Sequence, residues 1–296
     1  VSVQAPPVPA PARRAGVGAR ARTLTVALGG RGGAAGAILL ALLVLVALLA
    51  PLLAPYDPEH IDAARVLAAP TWAHPLGSDQ LGRDVLSRLL FAYRTSLMVA
   101  IGSVALAGLV GIPLGLLAGY RGGWVDAAIM RPLDMVLSLP ALLLAVSLIA
   151  ILGQGAGVAL VAIAIIYLPI LARVLRSSVV VVRERPYVAA ARARGVTDTT
   201  TMVRHVLPNA VGPVLVQATV LMGFAIQVEA ALSFLGLGAQ PPTPSLGLML
   251  LDGYQVLQQA WWVDVFPGLA IAVAVVAFFL IGDGLRRRYD PAGMAS

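Results

Sequence analysis

Asp134 and Glu229 are the acids nearest the apolar stretches of this chain. An acid at membrane depth is a default candidate for contact with a solute or an ion. Asp134 follows Arg131 by three residues, which predicts an interfacial ion pair. Glu229 lies deeper in its apolar run and is expected either to pair with Arg94 or to line a pathway. Other chemistry is scarce. The three histidines, His60, His74 and His205, are far apart in sequence and suggest no metal site. There is no cysteine, so disulfides and thiolate ligands are excluded. All 21 basic residues are arginine. Without lysine the chain has neither a Walker A loop nor a Schiff-base nucleophile. No Ser-His-Asp set or carboxylate pair is placed for catalysis, so no enzyme active site is expected.

The elements that must hold these acids are apolar helices. Of 296 residues, 59% are hydrophobic and only 12% charged, with mean hydropathy +0.89. A soluble domain carries about 25% charged residues. The composition predicts an all-α polytopic membrane protein. The net charge of +7 then reads as basic loops rather than nucleic-acid binding. Residues 1–33, rich in Ala, Pro, Gly and Arg, are expected to be a disordered tail. Residues 34–54 are free of charge and long enough to span; a cleaved signal peptide is the alternative. Further apolar runs cover 95–120, 132–172, 209–237 and 265–282. The run over 132–172 is too long for one span, and Gly153 to Gly157 splits it in two, giving six transmembrane helices across 34–285. Residues 238–262 read as a loop with interfacial aromatics, and 286–296 as a second tail.

Six spans place both termini on one side. That side receives 17 arginines and the other only Arg65, Arg83, Arg88 and Arg94. The positive-inside rule therefore predicts cytoplasmic termini. In the second span Ser103, Ala107, Gly111, Gly115 and Gly119 recur every four residues, a small-residue stripe suited to close helix packing within the chain or to a subunit contact.

Between two apolar runs lies a polar island, 183–208, with five arginines and two acids. Pro186 suits a first helical turn, Gly195 a C-terminal cap, and Thr197 or Asp198 the cap of a second short helix reaching His205. The pattern is a helix, a glycine turn and a helix: an elbow able to move two spans together. A basic loop on anionic headgroups is the competing reading. Glu184 is the only acid between Gly157 and Gly195.

Here the sequence resembles a known family. Ala189-Ala190-Ala191, Gly195 four residues on, and His205-x-Leu207-Pro208 resemble the EAA loop of bacterial ABC-importer permeases. Ala189 stands where that family usually has Glu, and His205 where it usually has an aliphatic residue. His74-Pro75-Leu76-Gly77-Ser78-Asp79-Gln80-Leu81-Gly82-Arg83-Asp84, Gly119 to Asp126, Glu229 to Gly238 and Gly282 to Leu285 resemble signatures of the second permease subunit in the dipeptide/oligopeptide/nickel group. The resemblance covers roughly residues 50–290.

It implies a type I permease fold, a location in the bacterial inner membrane, and half of a translocation path for short peptides. Nickel, glutathione and haem are the alternative cargoes. It implies a second permease, an extracytoplasmic binding protein and two ATPases that hold ATP and Mg, with no cofactor or metal in this chain. Tyr187, Ala189, Ala190, Ala191, Gly195, His205, Leu207 and Pro208 would face the ATPases. Glu184 would replace the missing acid, by contacting an ATPase or by steadying Arg185 and Arg192. An ion-coupled secondary transporter wants coupling acids in broken helices, for which only Glu229 qualifies. A membrane scaffold would leave the elbow unexplained.

Overall fold

The computed structural model describes residues 30–289. In chain order it holds α1 (Arg31–Leu48), α2 (Val85–Arg121), α3 (Gly123–Leu137), α4 (Ala141–Leu152), α5 (Ala156–Val182), α6 (Pro186–Ala193), α7 (Gly212–Phe234), α8 (Leu246–Val256) and α9 (Trp262–Tyr289), with shorter helical pieces between them. No strand occurs among the described residues; the one β-bridge joins Ser78 to Asp84. Helices α1, α2, α5, α7 and α9 are long and apolar enough to cross a membrane. The pair α3–α4 supplies a sixth candidate span, bent by 94°.

Three boundaries differ from expectation. Helix α1 begins at Arg31, inside the segment expected to be a tail; residues 1–29 lie outside the described residues. Its glycines are compatible with helix because Gly36 packs directly on Ala277, Leu280 and Ile281 of α9. Helix α9 likewise continues through the arginine triplet to Tyr289. The second span starts ten residues before the apolar run does, because Asp84 caps it: the Asp84 carboxylate accepts from the Ser87 amide and hydroxyl, both at 2.7 Å. At 37 residues α2 is about 55 Å long, well beyond a bilayer core.

The third span is not one helix. Pro140 disfavours helix at Leu139, so α3 ends at Leu137 and α4 restarts at Ala141. Helix α4, 12 residues, is only about 18 Å long. Helix α3 is fixed to α5 by two ion pairs, Asp126 with Arg176 and Asp134 with Arg173. The expected Arg131–Asp134 pair is thus replaced by a contact between helices. The segment expected to be a loop over 238–262 contains α8, started by Ser245, whose hydroxyl accepts from the Leu248 amide at 3.2 Å.

Helices α2 and α5 form the central contact. A Cβ at Gly111 would lie 2.9 Å from the Leu168 carbonyl oxygen. One at Gly115 would fall on the Ala172 carbonyl oxygen, and one at Gly119 would lie 2.8 Å from that of Arg176. The small-residue stripe therefore serves packing inside the chain, where backbones meet too closely for side chains.

Candidate coupling surface

The island folds as an elbow between α5 and α7. Pro186 occupies the first turn of α6, where its missing N–H costs nothing. Helix α6 ends in a paired cap. The Gly195 amide donates to the Arg192 carbonyl at 2.9 Å and the Val196 amide to the Ala191 carbonyl at 3.2 Å. That cap needs a left-handed residue, and Gly195 has φ +80°. Thr197 caps the next short helix, Asp198–Thr200, accepting from the Thr200 amide at 3.4 Å. That helix then widens into a π-helical stretch, Thr201–Val206. Pro208 explains the widening: it lacks the donor of an α-helical turn and its ring crowds the preceding one. The Asn209 side-chain amide donates to the His205 carbonyl at 2.8 Å, and the chain runs on into α7.

The expected contact residues divide by face. Val188 and Ala191 are buried and pack the elbow, so Ala191 is not on its outer surface. Tyr187, Ala189, Ala190, Gly195 and Pro208 are exposed, while His205 and Leu207 are half-buried. Glu184 is exposed and paired with its neighbour Arg183 at 3.0 Å. Among the described residues its ion pair is with Arg183, and none joins it to Arg185 or Arg192. Arg192 instead covers the Tyr120 ring, 4.8 Å from its centroid.

Glu229 lies inside the chain's own core. Its two oxygens accept from the Ser96 hydroxyl at 2.7 Å and the Ser233 hydroxyl at 2.8 Å. The Ser233 oxygen also accepts from the Ala239 amide at 3.1 Å. The acid thus ties α2 and α7 to the loop after α7, and its partners are serines, not Arg94. In this conformation Glu229 is fully buried.

At the end of the bundle opposite the elbow, the His74 to Asp84 motif folds as a cap. The His74 ring stacks on Tyr56 at 4.5 Å and bonds Asp84 at 2.8 Å. Arg83 bridges Asp79 at 2.7 Å and Asp252 at 3.1 Å, while Arg88 lies 3.5 Å from Asp79 and 3.7 Å from Asp252. Burial pushes the Asp252 carboxyl above its usual range, against the pull of Arg88 and Arg83. Two acids and two arginines thus compensate one another, fixing α8 to the start of α2. Sequence reading missed this cluster: Asp252 is more than 160 residues from both arginines, and no local spacing announces it.

Residues 111–292 match the family of binding-protein-dependent transport system inner membrane components, and residues 31–70 match the N-terminal transmembrane domain of oligopeptide transport permease C. The chain is 43% identical to a dipeptide transport system permease protein of Alkalihalophilus pseudofirmus, over 86% of this chain and 84% of that one. It is 44% identical to a di/tripeptide transport system permease protein of Pseudomonas aeruginosa, over 88% of each. It is also 44% identical to a glutathione transport system permease protein of Pectobacterium atrosepticum, over 83% of this chain and 82% of that one. The methionine ABC transporter MetNI in an inward-facing conformation gives TM-score 0.55 at 21% identity, covering 69% of this chain and 96% of the MetNI chain. That likeness gives the fold, that of a type I importer permease.

Proposed function

The chain belongs to the family of binding-protein-dependent transport system inner membrane components, and we propose that it forms one half of the translocation pathway of an ATP-driven importer of short peptides. The observation that carries this reading is the elbow, a rigidly capped surface helix inserted between two spans. A load on Tyr187, Ala189 and Ala190 moves α5 and α7 together. The work of the chain is mechanical: two packings of its spans, biased by whatever presses on the elbow. Two cytoplasmic ATPases supply that bias and bind ATP and Mg themselves, since a chain without lysine cannot form their phosphate loop. A second permease completes the pathway, and an extracytoplasmic protein delivers the cargo.

Peptides are proposed because two of the relatives carry dipeptide and di/tripeptide names. Glutathione is the second reading, favoured by the similarly close glutathione permease. Uptake by the reconstituted complex, scored for a dipeptide, glutathione and nickel side by side, separates them.

The arginine asymmetry further supports an elbow in the cytoplasm and a His74 cap outside. Without native thiols, single cysteines report this cleanly. Ser78 is buried and unsuited to labelling, whereas Trp72, just before the cap, and Thr199 in the elbow are exposed. In intact cells, Trp72→Cys is expected to react with an impermeant maleimide, and Thr199→Cys only after lysis. The reverse pattern would invert the topology.

A further inference from the structure

Helix α2 lies outside the elbow in sequence, yet its last turn is joined to both halves of it. Tyr120 makes the joint. Its hydroxyl accepts from Arg192 Nε, in the first half, at 3.2 Å. It donates to Asp198 Oδ1, in the second half, at 2.9 Å. The ring is buried, with the Arg192 guanidinium over it. Beside it, Arg183 Nη1 donates to the Gly119 carbonyl at 2.7 Å and to the Tyr120 carbonyl at 3.3 Å. Arg121 approaches Asp198 at 3.9 Å. Between Arg192 and Asp198 lies the glycine turn of the elbow, at Gly195. One phenol therefore spans the hinge, satisfied in both its donor and its acceptor role.

We propose that Tyr120 is the positioning residue that sets the angle of the elbow and joins it to α2. This rests on reading the elbow as the ATPase contact. A load on α6 then reaches three spans: α5 and α7 through the chain, and α2 through Tyr120. Helix α2 passes the load on. It is locked against α5 at Gly111, Gly115 and Gly119, and its far end is gripped by Asp79 and Asp252 through Arg88. The elbow is thereby connected, along one continuous helix, to the side where a binding protein would dock.

Tyr120→Phe isolates the joint, because it keeps the buried ring and removes only the bridging hydroxyl. In the assembled complex the ATPases are expected to co-purify in wild-type amount and to hydrolyse ATP at the wild-type unstimulated rate. Stimulation by a dipeptide-loaded binding protein falls about fivefold, as two charge-assisted hydrogen bonds are lost. Asp198→Ala also lowers stimulation, and the double variant falls little further, because both changes remove the Tyr120–Asp198 bond. Full stimulation in Tyr120→Phe, effects that multiply in the double variant, or a deficit explained entirely by lost ATPase association would each overturn the proposal. A wild-type complex that shows no ATPase association or stimulation sinks the importer reading itself, and the joint with it.

Discussion

Gly195→Val leaves the protein inserted in the membrane but lowers transport about five- to thirtyfold, from a strain of roughly 1–2 kcal/mol concentrated at the hinge. The residue sits at φ +80°, and the amides of Gly195 and Val196 close the end of α6 only in that conformation. Valine is the least tolerant substitute, since branching at Cβ crowds a left-handed backbone further. No atom lies within 4 Å of the position a Cβ would take, so the defect is one of backbone conformation alone. Alanine at the same site should therefore fall between glycine and valine. Transport assays on membranes holding equal amounts of assembled complex check the order. Wild-type transport by the valine variant would show that the left-handed turn is not needed for coupling.

A leucine at Gly115 should cost more, and should cost folding rather than coupling. Its Cβ would fall on the Ala172 carbonyl oxygen, a backbone atom with no rotamer to yield. Helices α2 and α5 must separate along their central contact, which costs about 3 kcal/mol or more. In a membrane that contact depends on close packing rather than on the expulsion of water. The expected result is loss of a monodisperse peak in detergent, or a clearly lowered Tm for what remains. Gly108→Ala is the control, about two turns earlier in the same helix. Its nearest neighbours, Ile112 and Leu171, would be 3.7 and 3.8 Å from the new methyl, ordinary contact. It should leave Tm unchanged or slightly raised. Equal behaviour of the two variants would contradict the packing described.

Local patterns carried much of the architecture. Glycine and proline positions announced the elbow, since the conformations that Pro186 and Gly195 favour are decided within a few residues. The four-residue recurrence of Gly111, Gly115 and Gly119 announced a close helix contact for the same reason. What could not be read depends on partners remote in sequence. The sequence left Glu229 either a partner of Arg94 or a pathway residue; its burial among Ser96 and Ser233 is set by how α2 crosses α7. Asp134 had a ready neighbour in Arg131, but the packing of α3 against α5 brings it to Arg173. The bend between α3 and α4 was masked by the high overall hydrophobicity of its run, with Ser138 and Pro140 as the local signs. Helix α8 was hidden because its neighbouring prolines and tryptophans resemble an interfacial loop.

The most direct measurement is ATP-driven uptake of a labelled dipeptide into proteoliposomes that hold this chain, its partner permease and two ATPases, with the loaded binding protein supplied on the side of the His74 cap. The account predicts uptake that requires ATP and the binding protein, ignores ionophores that collapse ion gradients, and is lost with Gly195→Val. Uptake driven by an ion gradient without ATP would contradict it.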